Sequence, residues 1–296
     1  MHVFVTGATG WIGSAIVDEL LDAGHEVTGL ARSDASAATL ERKGARVRRG
    51  DLDDLDGIRA GADEADGVIH LANKHDWGNL AMSNRTERAA VETIAGALTG
   101  TGQPFVLASA LSGLAKGRPA TEADPSPAFG PDSMRGGSEN LALEYAEKGM
   151  RVISARFAPS VHGVGDHGFV SSLVAAARKH GVSAYIGEGT ASWAAVHRTD
   201  AARLVRLGLE GAPTGSLLHV VDEEAITTRE IAEAVGRTLG VPVTSVAPED
   251  AGEHFGFVGR FFALDMSASS TRTRELLDWA PFGPSLVEDI EAGAYA

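Results

Sequence analysis

The first stretch of this chain, residues 1–13, constrains its fold more than any other and reads MHVFVTGATGWIG. Residues 3–5 form an apolar run with β-branched side chains that stops at Thr6-Gly7, a pattern typical of a buried strand entering a tight turn. From Trp11 onward apolar residues recur at helical spacing as far as Gly24; they are Ile12, Ile16, Val17, Leu20 and Leu21. The stretch therefore predicts a strand, a glycine turn and a helix in direct succession.

The glycines of this turn have the spacing G-x-x-G-x-x-G. Gly7 permits the turn, Gly10 lets the backbone approach a pyrophosphate, and Gly13 lets the helix pack closely on the strand. The free N–H groups and the positive dipole end of the helix then favour an anion. We predict a dinucleotide site here, the alternative being a glycine-rich turn without a ligand. Its residues are Thr6, Gly7, Thr9, Gly10, Trp11, Ile12 and Gly13.

Strands and helices alternate through the first half of the chain. Further strands are predicted at residues 26–31, 45–48, 67–72, 104–108 and 151–157, and helices at residues 35–43, 55–60, 86–98 and 133–148. This alternation predicts an α/β fold with a Rossmann-type doubly wound parallel sheet, which binds ligands at the carboxyl ends of its strands.

A smaller, mostly helical substrate-capping region is predicted toward the C-terminus. A helix is expected at residues 169–180, and another at 227–240 with a capping box from Thr227 to Glu230 and a stop at Gly240. Residues 159–168 are too rich in glycine for a regular element. We place the cofactor domain at residues 1–158 with 188–221, and the cap at residues 159–187 with 222–296.

The motif Thr6-Gly7-Ala8-Thr9-Gly10-Trp11-Ile12-Gly13 resembles that of the extended branch of the short-chain dehydrogenase/reductase superfamily, labelled NAD-dependent epimerase/dehydratase. The resemblance extends more loosely over nearly the whole chain. It implies that Asp51 and Leu52 hold the adenine, although Asp51 could equally cap the next helix. It also implies that Asp200 caps a helix. Further cofactor contacts are implied at Leu71, Ala72, Asn73, Pro159 and Ser160.

The end of the second strand bears on which nicotinamide dinucleotide is bound. A carboxylate there accepts from both ribose hydroxyls of NAD, whereas an Arg suits the 2′-phosphate of NADP. Arg32 is the first polar residue at this end and Ser33 lies beside it, which favours NADP. Asp34 follows directly and keeps NAD open as the alternative.

In the family that the chain resembles, catalysis rests on a Tyr and a Lys four residues later on one helix. The ammonium one helical turn away stabilises the phenolate of the Tyr. This chain contains no Y-x-x-x-K. When the helix is aligned by its distance from the following strand, Arg135 and Glu139 fall at the positions of the Tyr and the Lys. Arg135 could then act as an electrostatic stabiliser. Tyr145 and Lys148 lie further along the helix and are expected to be structural.

Other polar residues are predicted at the same edge of the sheet. The family also uses a Ser or Thr after the fifth strand, where Ser109 and Ser112 can hold a substrate oxygen. His75, in the run Lys74-His75-Asp76-Trp77 after the fourth strand, is a candidate proton donor, although such a run is usually a solvated surface.

Predicted substrate contacts are Lys74, Trp77, His162, His167, Phe169 and Trp193. The aromatic members indicate an apolar or aromatic substrate, although aromatic residues pack cores more often than they line pockets. No metal is expected, because H-x-x-x-x-H with one carboxylate has no zinc spacing.

Composition excludes several other functions. The net charge of −14 argues against binding to nucleic acid or anionic membranes, and the absence of cysteine excludes disulfides and thiolate chemistry. No apolar run approaches the roughly 20 residues that span a bilayer. We expect a cytoplasmic protein that acts on a small molecule, and the resemblance allows a homodimer.

Three functions are consistent with these features. The leading one is an NADP-preferring reductase without the usual dyad, whose proton comes from His75, His162 or water. The second is an isomerase or dehydratase that uses tightly held NAD transiently. The third is a non-catalytic protein that senses the NADP/NADPH ratio. They differ in whether a substrate binds over the nicotinamide and is turned over.

Overall fold

The computed structural model describes residues 1–74, 76 and 78–295. Its strands are β1 (His2–Thr6), β2 (Glu26–Ala31), β3 (Arg46–Arg49), β4 (Gly67–His70), β5 (Pro104–Ala110), β6 (Arg151–Phe157), β7 (Ser160–His162), β8 (Ser183–Ile186), β9 (Ser192–His197), β10 (Ser216–Val220), β11 (Glu223–Thr227) and β12 (Val243–Val246). Its helices are α1 (Trp11–Asp22), α2 (Asp34–Lys43), α3 (Leu55–Asp63), α4 (Leu80–Leu98), α5 (Ser138–Glu144), α6 (Phe169–His180), α7 (Arg198–Gly211), α8 (Thr228–Leu239), α9 (Ala251–Phe255), α10 (Gly259–Phe262), α11 (Thr271–Leu277) and α12 (Leu286–Glu291).

A parallel sheet of seven strands, in the order β10-β6-β5-β4-β1-β2-β3, forms the centre of the molecule. Because side chains alternate along a strand, Val3 and Val5 pack into a core with α1, α2 and α7, whereas Phe4 faces a second core with α3 and α4. Helices thus cover both faces of the sheet. The predicted α/β fold class is confirmed.

The cap has a core of its own, in which α6, α8 and α12 pack around Trp193, Phe255 and Phe262. It also contains short strands that the prediction of a mostly helical cap did not include. β7, β9 and β11 form one small sheet, and β8 pairs with β12. β9 lies within the range that we gave to the cofactor domain, but it pairs with cap strands rather than with the large sheet.

The predicted helix at residues 133–148 is wrong in its first part. Met134–Gly137 form a 3₁₀ turn in which Arg135, Gly136 and Gly137 have φ angles of 53°, 62° and 63°, and α5 begins only at Ser138. Glycine adopts left-handed backbone without steric cost, so the Gly136-Gly137 pair interrupts the helix. Arg135 and Glu139 therefore do not share one continuous helix.

Two more local predictions are corrected by contacts between distant segments. Residues 159–168 were expected to be irregular, yet they contain β7, which pairs in parallel with β9. Asp200 does not cap α7; His197 does, and the Asp200 carboxylate accepts from Gly283 N at 2.7 Å. The capping box of Thr227 and Glu230 at the start of α8 is confirmed. None of the described helices combines the length and the apolar character needed to cross a membrane.

Candidate cofactor site and active site

The turn between β1 and α1 is closed so tightly that it requires glycine. Gly10 N donates to Gly7 O at 2.9 Å, and Gly7 has a φ of 69°. A Cβ at Gly13 would stand 2.1 Å from Gly7 O, and one at Gly7 would stand 2.8 Å from Ala72 N. Side chains cap α2, α3 and α4, but none caps α1. Its first N–H groups stay open for an anion, which fits the pyrophosphate of a dinucleotide.

The side chain of Trp11 joins this turn to the cap. Its Nε1 donates to Val161 O at 2.7 Å, and the Arg198 guanidinium lies 4.2 Å from the centre of the ring. The His167 ring meets the indole edge-on, with 5.8 Å between centroids. The indole is therefore engaged with β7 and Arg198, so that only the backbone of Trp11 remains for the predicted cofactor contact. His167 is exposed beside the turn.

Exposed charges surround the start of α2, where the ribose of the adenosine is expected. Arg32 is exposed, and its guanidinium has no partner within the described residues. The Ser33 hydroxyl caps α2 by accepting from Ser36 N at 3.2 Å. Asp34 pairs with Arg49 at 2.6 Å. Arg49 was not among the predicted residues, although the basic strand Arg46–Arg49 was a visible signal for it.

The predicted adenine segment follows β3. Asp51 accepts from Asp53 N at 2.8 Å, and Asp54 rather than Asp51 caps α3, so the capping alternative for Asp51 is wrong. Leu52 is buried. Lys74, a predicted substrate contact, donates to Asp53 at 2.7 Å and lies on this side of the site.

A polar pair is buried where β1 and β4 end. Thr6 Oγ1 accepts from Ala72 N at 3.3 Å and lies 2.8 Å from His70 Nδ1. The hydroxyl and the imidazole therefore form a hydrogen bond in which either group can be the donor. Burial is the main cause that lowers the pKa of His70, so the imidazole is neutral.

Arg135 is held beside this pair by an acidic residue of α4. Glu87, whose side chain is 1% exposed, accepts from Arg135 Nη2 at 2.5 Å and from Asn73 Nδ2 at 2.8 Å. His70 Nε2 lies 4.0 Å from the same carboxylate. His70 and Glu87 were not predicted from the sequence. The sequence signal for His70 was a polar residue at the end of an apolar strand, and the signal for Glu87 was a carboxylate on the apolar face of a helix.

Glu139, the other position predicted for the dyad, faces inward. Its carboxylate accepts from Arg156 Nη2 at 2.5 Å and from Ser154 Oγ at 2.9 Å. Burial opposes the charged form, but Arg156 and the hydroxyls of Ser109 and Ser154 outweigh it, and the pKa of Glu139 is lowered. Ser109 therefore lies close to this carboxylate. Ser112 is half-buried and has no partner in the described part of the chain.

Two predicted substrate contacts in the cap are packed into its interior. His162 Nδ1 lies 2.6 Å from Asp289, and Trp193 Nε1 donates to Phe261 O at 3.3 Å. Both side chains are fully buried and contribute to the core instead. Phe169 stacks on Phe261 with 4.9 Å between centroids and is only half-buried.

The remaining predicted residues divide by their exposure. Leu71 and Pro159 are half-buried at the sheet edge, whereas the Ser160 hydroxyl is buried and has no partner among the described residues. His75 and Trp77 lie outside the described residues.

Comparison with known proteins gives a family and a fold. A model of the NAD dependent epimerase/dehydratase family matches residues 3–217. An uncharacterized protein of Schizosaccharomyces pombe is 43% identical over 296 residues, which is 100% of either chain. The 4-hydroxy-2-methyl-3-oxo-4-farnesyl-3,4-dihydroquinoline-1-oxide ketoreductase of Stigmatella aurantiaca is 25% identical over 251 residues, 81% of this chain and 74% of its own.

Two solved structures with NAD bound have the same fold. A dTDP-glucose 4,6-dehydratase from Streptomyces venezuelae has a TM-score of 0.79 at 22% identity, over 99% of this chain and 96% of that chain. A UDP-glucose 4-epimerase from Thermus thermophilus has a TM-score of 0.76 at 22% identity, over 99% and 98%.

Proposed function

Because the chain belongs to the NAD dependent epimerase/dehydratase family, we propose that it is an NADPH-dependent reductase of a small apolar or aromatic carbonyl compound. The observation that carries this proposal is the Arg135 guanidinium, fixed by Glu87 beside the segment that resembles the floor of the family's cofactor site. The relative from Stigmatella aurantiaca, a ketoreductase by name, supports reduction. The half-buried ring of Phe169 supports an apolar substrate.

Bound NADPH supplies a hydride to the carbonyl carbon, and one proton completes the alcohol. Arg135 stabilises the negative charge that grows on the oxygen, through Nε and Nη1, which have no partner within the described residues. Ser112 donates a further hydrogen bond. A guanidinium keeps its protons at neutral pH, so the proton comes from His75 or water. We exclude His162 as its source, because that side chain is buried against Asp289.

The charges at the start of α2 support NADP over NAD. Asp34 is turned toward Arg49, whereas Arg32 is exposed and Ser33 lies beside it. A 2′-phosphate would gain Arg32 directly and could draw Arg49 away from Asp34. Arg32→Gln should weaken NADPH binding about tenfold or more and leave NADH binding unchanged, since charged hydrogen bonds contribute about 1.5–3 kcal/mol. Arg272→Gln, an exposed arginine on α11, is the matched control.

An epimerase or dehydratase that uses NAD transiently has equal support from the family. Titration with NADPH and NADH by nicotinamide fluorescence, followed by NADPH oxidation against aromatic ketones, enones and imines, separates the two. A reductase oxidises NADPH in step with substrate, and Arg135→Gln or His75→Ala lowers that rate while binding persists. Conversion of a nucleotide sugar without net oxidation of NADPH would favour the alternative. Tight binding without any turnover would favour a sensor.

A further inference from the structure

Glu87 is a buried carboxylate that uses each of its oxygens for a different segment of the site. Oε1 accepts from Arg135 and Oε2 accepts from Asn73. Nε2 of the His70 imidazole lies 4.0 Å from the same group and forms no hydrogen bond with the described residues. Because the carboxylate is 1% exposed and enclosed by these donors, it cannot itself touch a substrate. Any effect that it has on the reaction must pass through its partners.

The conformation of Arg135 must be stabilised by contacts with other parts of the chain. It has a φ of 53°, a left-handed backbone that is disfavoured for a residue with a Cβ. The turn is docked on α4 at further points, because Arg88 Nη1 donates to Gly136 O at 2.8 Å and a Cβ on Gly136 would stand 2.4 Å from Asn84 O. These contacts fix the backbone. Within the described residues only Glu87 is bonded to the guanidinium, which is otherwise 25% exposed and has several rotatable bonds.

We propose that Glu87 is a positioning residue of the active site, which holds the Arg135 guanidinium in one orientation so that its Nε and Nη1 meet the substrate oxygen. This inference rests on the proposed reductase function. It assigns to α4 a role in the reaction through a residue 48 positions before Arg135 in the chain. Without Glu87 the guanidinium keeps its charge and loses its orientation.

Kinetics of Glu87→Gln, with Glu87→Asp as the conservative variant, test the proposal. Gln keeps the size of the side chain and lacks the charge, so kcat should fall roughly ten- to a hundredfold, as expected for a misplaced catalytic group. KM and the Kd for NADPH should stay within about twofold. Glu87→Asp keeps the charge and should restore part of kcat. Glu92→Gln, an exposed carboxylate on the same helix, should match wild type.

A double-mutant cycle with Arg135→Gln decides whether Glu87 acts through Arg135. In the Arg135→Gln background, Glu87→Gln should lower kcat no further, because the group that it positions is absent. An additional loss of tenfold or more there, or wild-type kcat in Glu87→Gln alone, would overturn the proposal. If Glu87→Gln does not fold, Glu87→Asp replaces it in the cycle: a partial loss of kcat that disappears in the Arg135→Gln background supports the proposal, and a loss that persists there overturns it. Absence of wild-type turnover on the whole panel would instead refute the reductase function.

A readout without turnover completes the test. Phenylglyoxal modifies accessible guanidinium groups, and peptide mapping compares Arg135 with Arg85, an exposed arginine on the helix of Glu87. The ratio of Arg135 to Arg85 modification should rise in Glu87→Gln and stay constant in Glu92→Gln. An unchanged ratio in Glu87→Gln would show that the guanidinium is not held by Glu87, and this would overturn the inference whatever the reaction is.

Discussion

Replacing Glu139 by Gln should destabilise the protein strongly, although the sequence predicts a position of the family's catalytic dyad for this residue. In this chain its carboxylate accepts from Arg156 Nη2 at 2.5 Å and from Ser154 Oγ at 2.9 Å. Gln offers one acceptor oxygen and turns its NH2 group toward these donors. The Arg156 side chain is 0% exposed, so it cannot reach water when its partner is lost.

The magnitude follows from the burial of this pair. Neutralising one member of a buried ion pair costs about 3–5 kcal/mol, because the other charge remains buried without a counter-charge. The entropy of unfolding is about 2 cal/mol/K per residue, so a chain of 296 residues should lose roughly 5–8 °C in Tm. The exposed Glu144 ends the same helix, and Glu144→Gln should change Tm by less than about 1 °C.

Thermal unfolding at several pH values measures this effect and its sign. The folded protein lowers the pKa of Glu139, so the stabilisation is fully present above the ordinary glutamate pKa of about 4.3 and is lost as the pH falls through the folded value. The Tm difference between wild type and Glu139→Gln should therefore be constant near neutrality and narrow below about pH 4. A loss of less than about 2 °C at neutral pH would refute the argument from burial.

Three further predictions address the cofactor turn, the cap and pH dependence. Gly13→Ala should abolish NADPH binding in a fluorescence titration, because its Cβ would stand 2.1 Å from Gly7 O. Thr227→Ala should lower stability by about 1 kcal/mol in urea unfolding and leave NADPH binding intact, since it removes the capping box of α8. Burial is the main cause that lowers the pKa of His162, and it outweighs the opposite effect of Asp289. The stability of the protein should therefore fall as the pH drops below about 6.5, where the unfolded chain binds the proton more readily, and it should fall less steeply in His162→Gln.

The sequence predicted those parts of the fold in which neighbouring residues decide the structure. Residues 3–5 and the glycine turn were sufficient for β1, the turn and α1, because strand period, turn and helix period follow within a few residues. β7 was missed because it is three residues long and exists through its pairing with β9. The predicted helix at residues 133–148 begins too early because Gly136-Gly137 adopts left-handed backbone that interrupts it.

The candidate site was predictable in position but not in its partners. The ends of β1 and β4 bring Thr6 and Asn73 to one edge of the large sheet, since parallel strands end together, and Arg135 joins them through Glu87. The contacts of Glu87 join residues up to 48 positions apart, and no local pattern encodes such a distance. The sequence also could not show which aromatic side chains are buried, because a residue such as Trp193 gives the same sequence signal whether it lines a pocket or fills a core.

The glycine pair also explains why Arg135 and Glu139, the two positions predicted for the dyad, cannot act together. In the family pattern a Tyr and a Lys one helical turn apart share one helix face, which lets the ammonium act on the phenolate. Here Gly136-Gly137 separates the positions, so that Arg135 reaches Glu87 on α4 while Glu139 reaches Arg156 on β6. Each charge is balanced by a different element of the fold. The proposed reduction therefore combines Arg135, as a fixed positive group, with a proton from elsewhere.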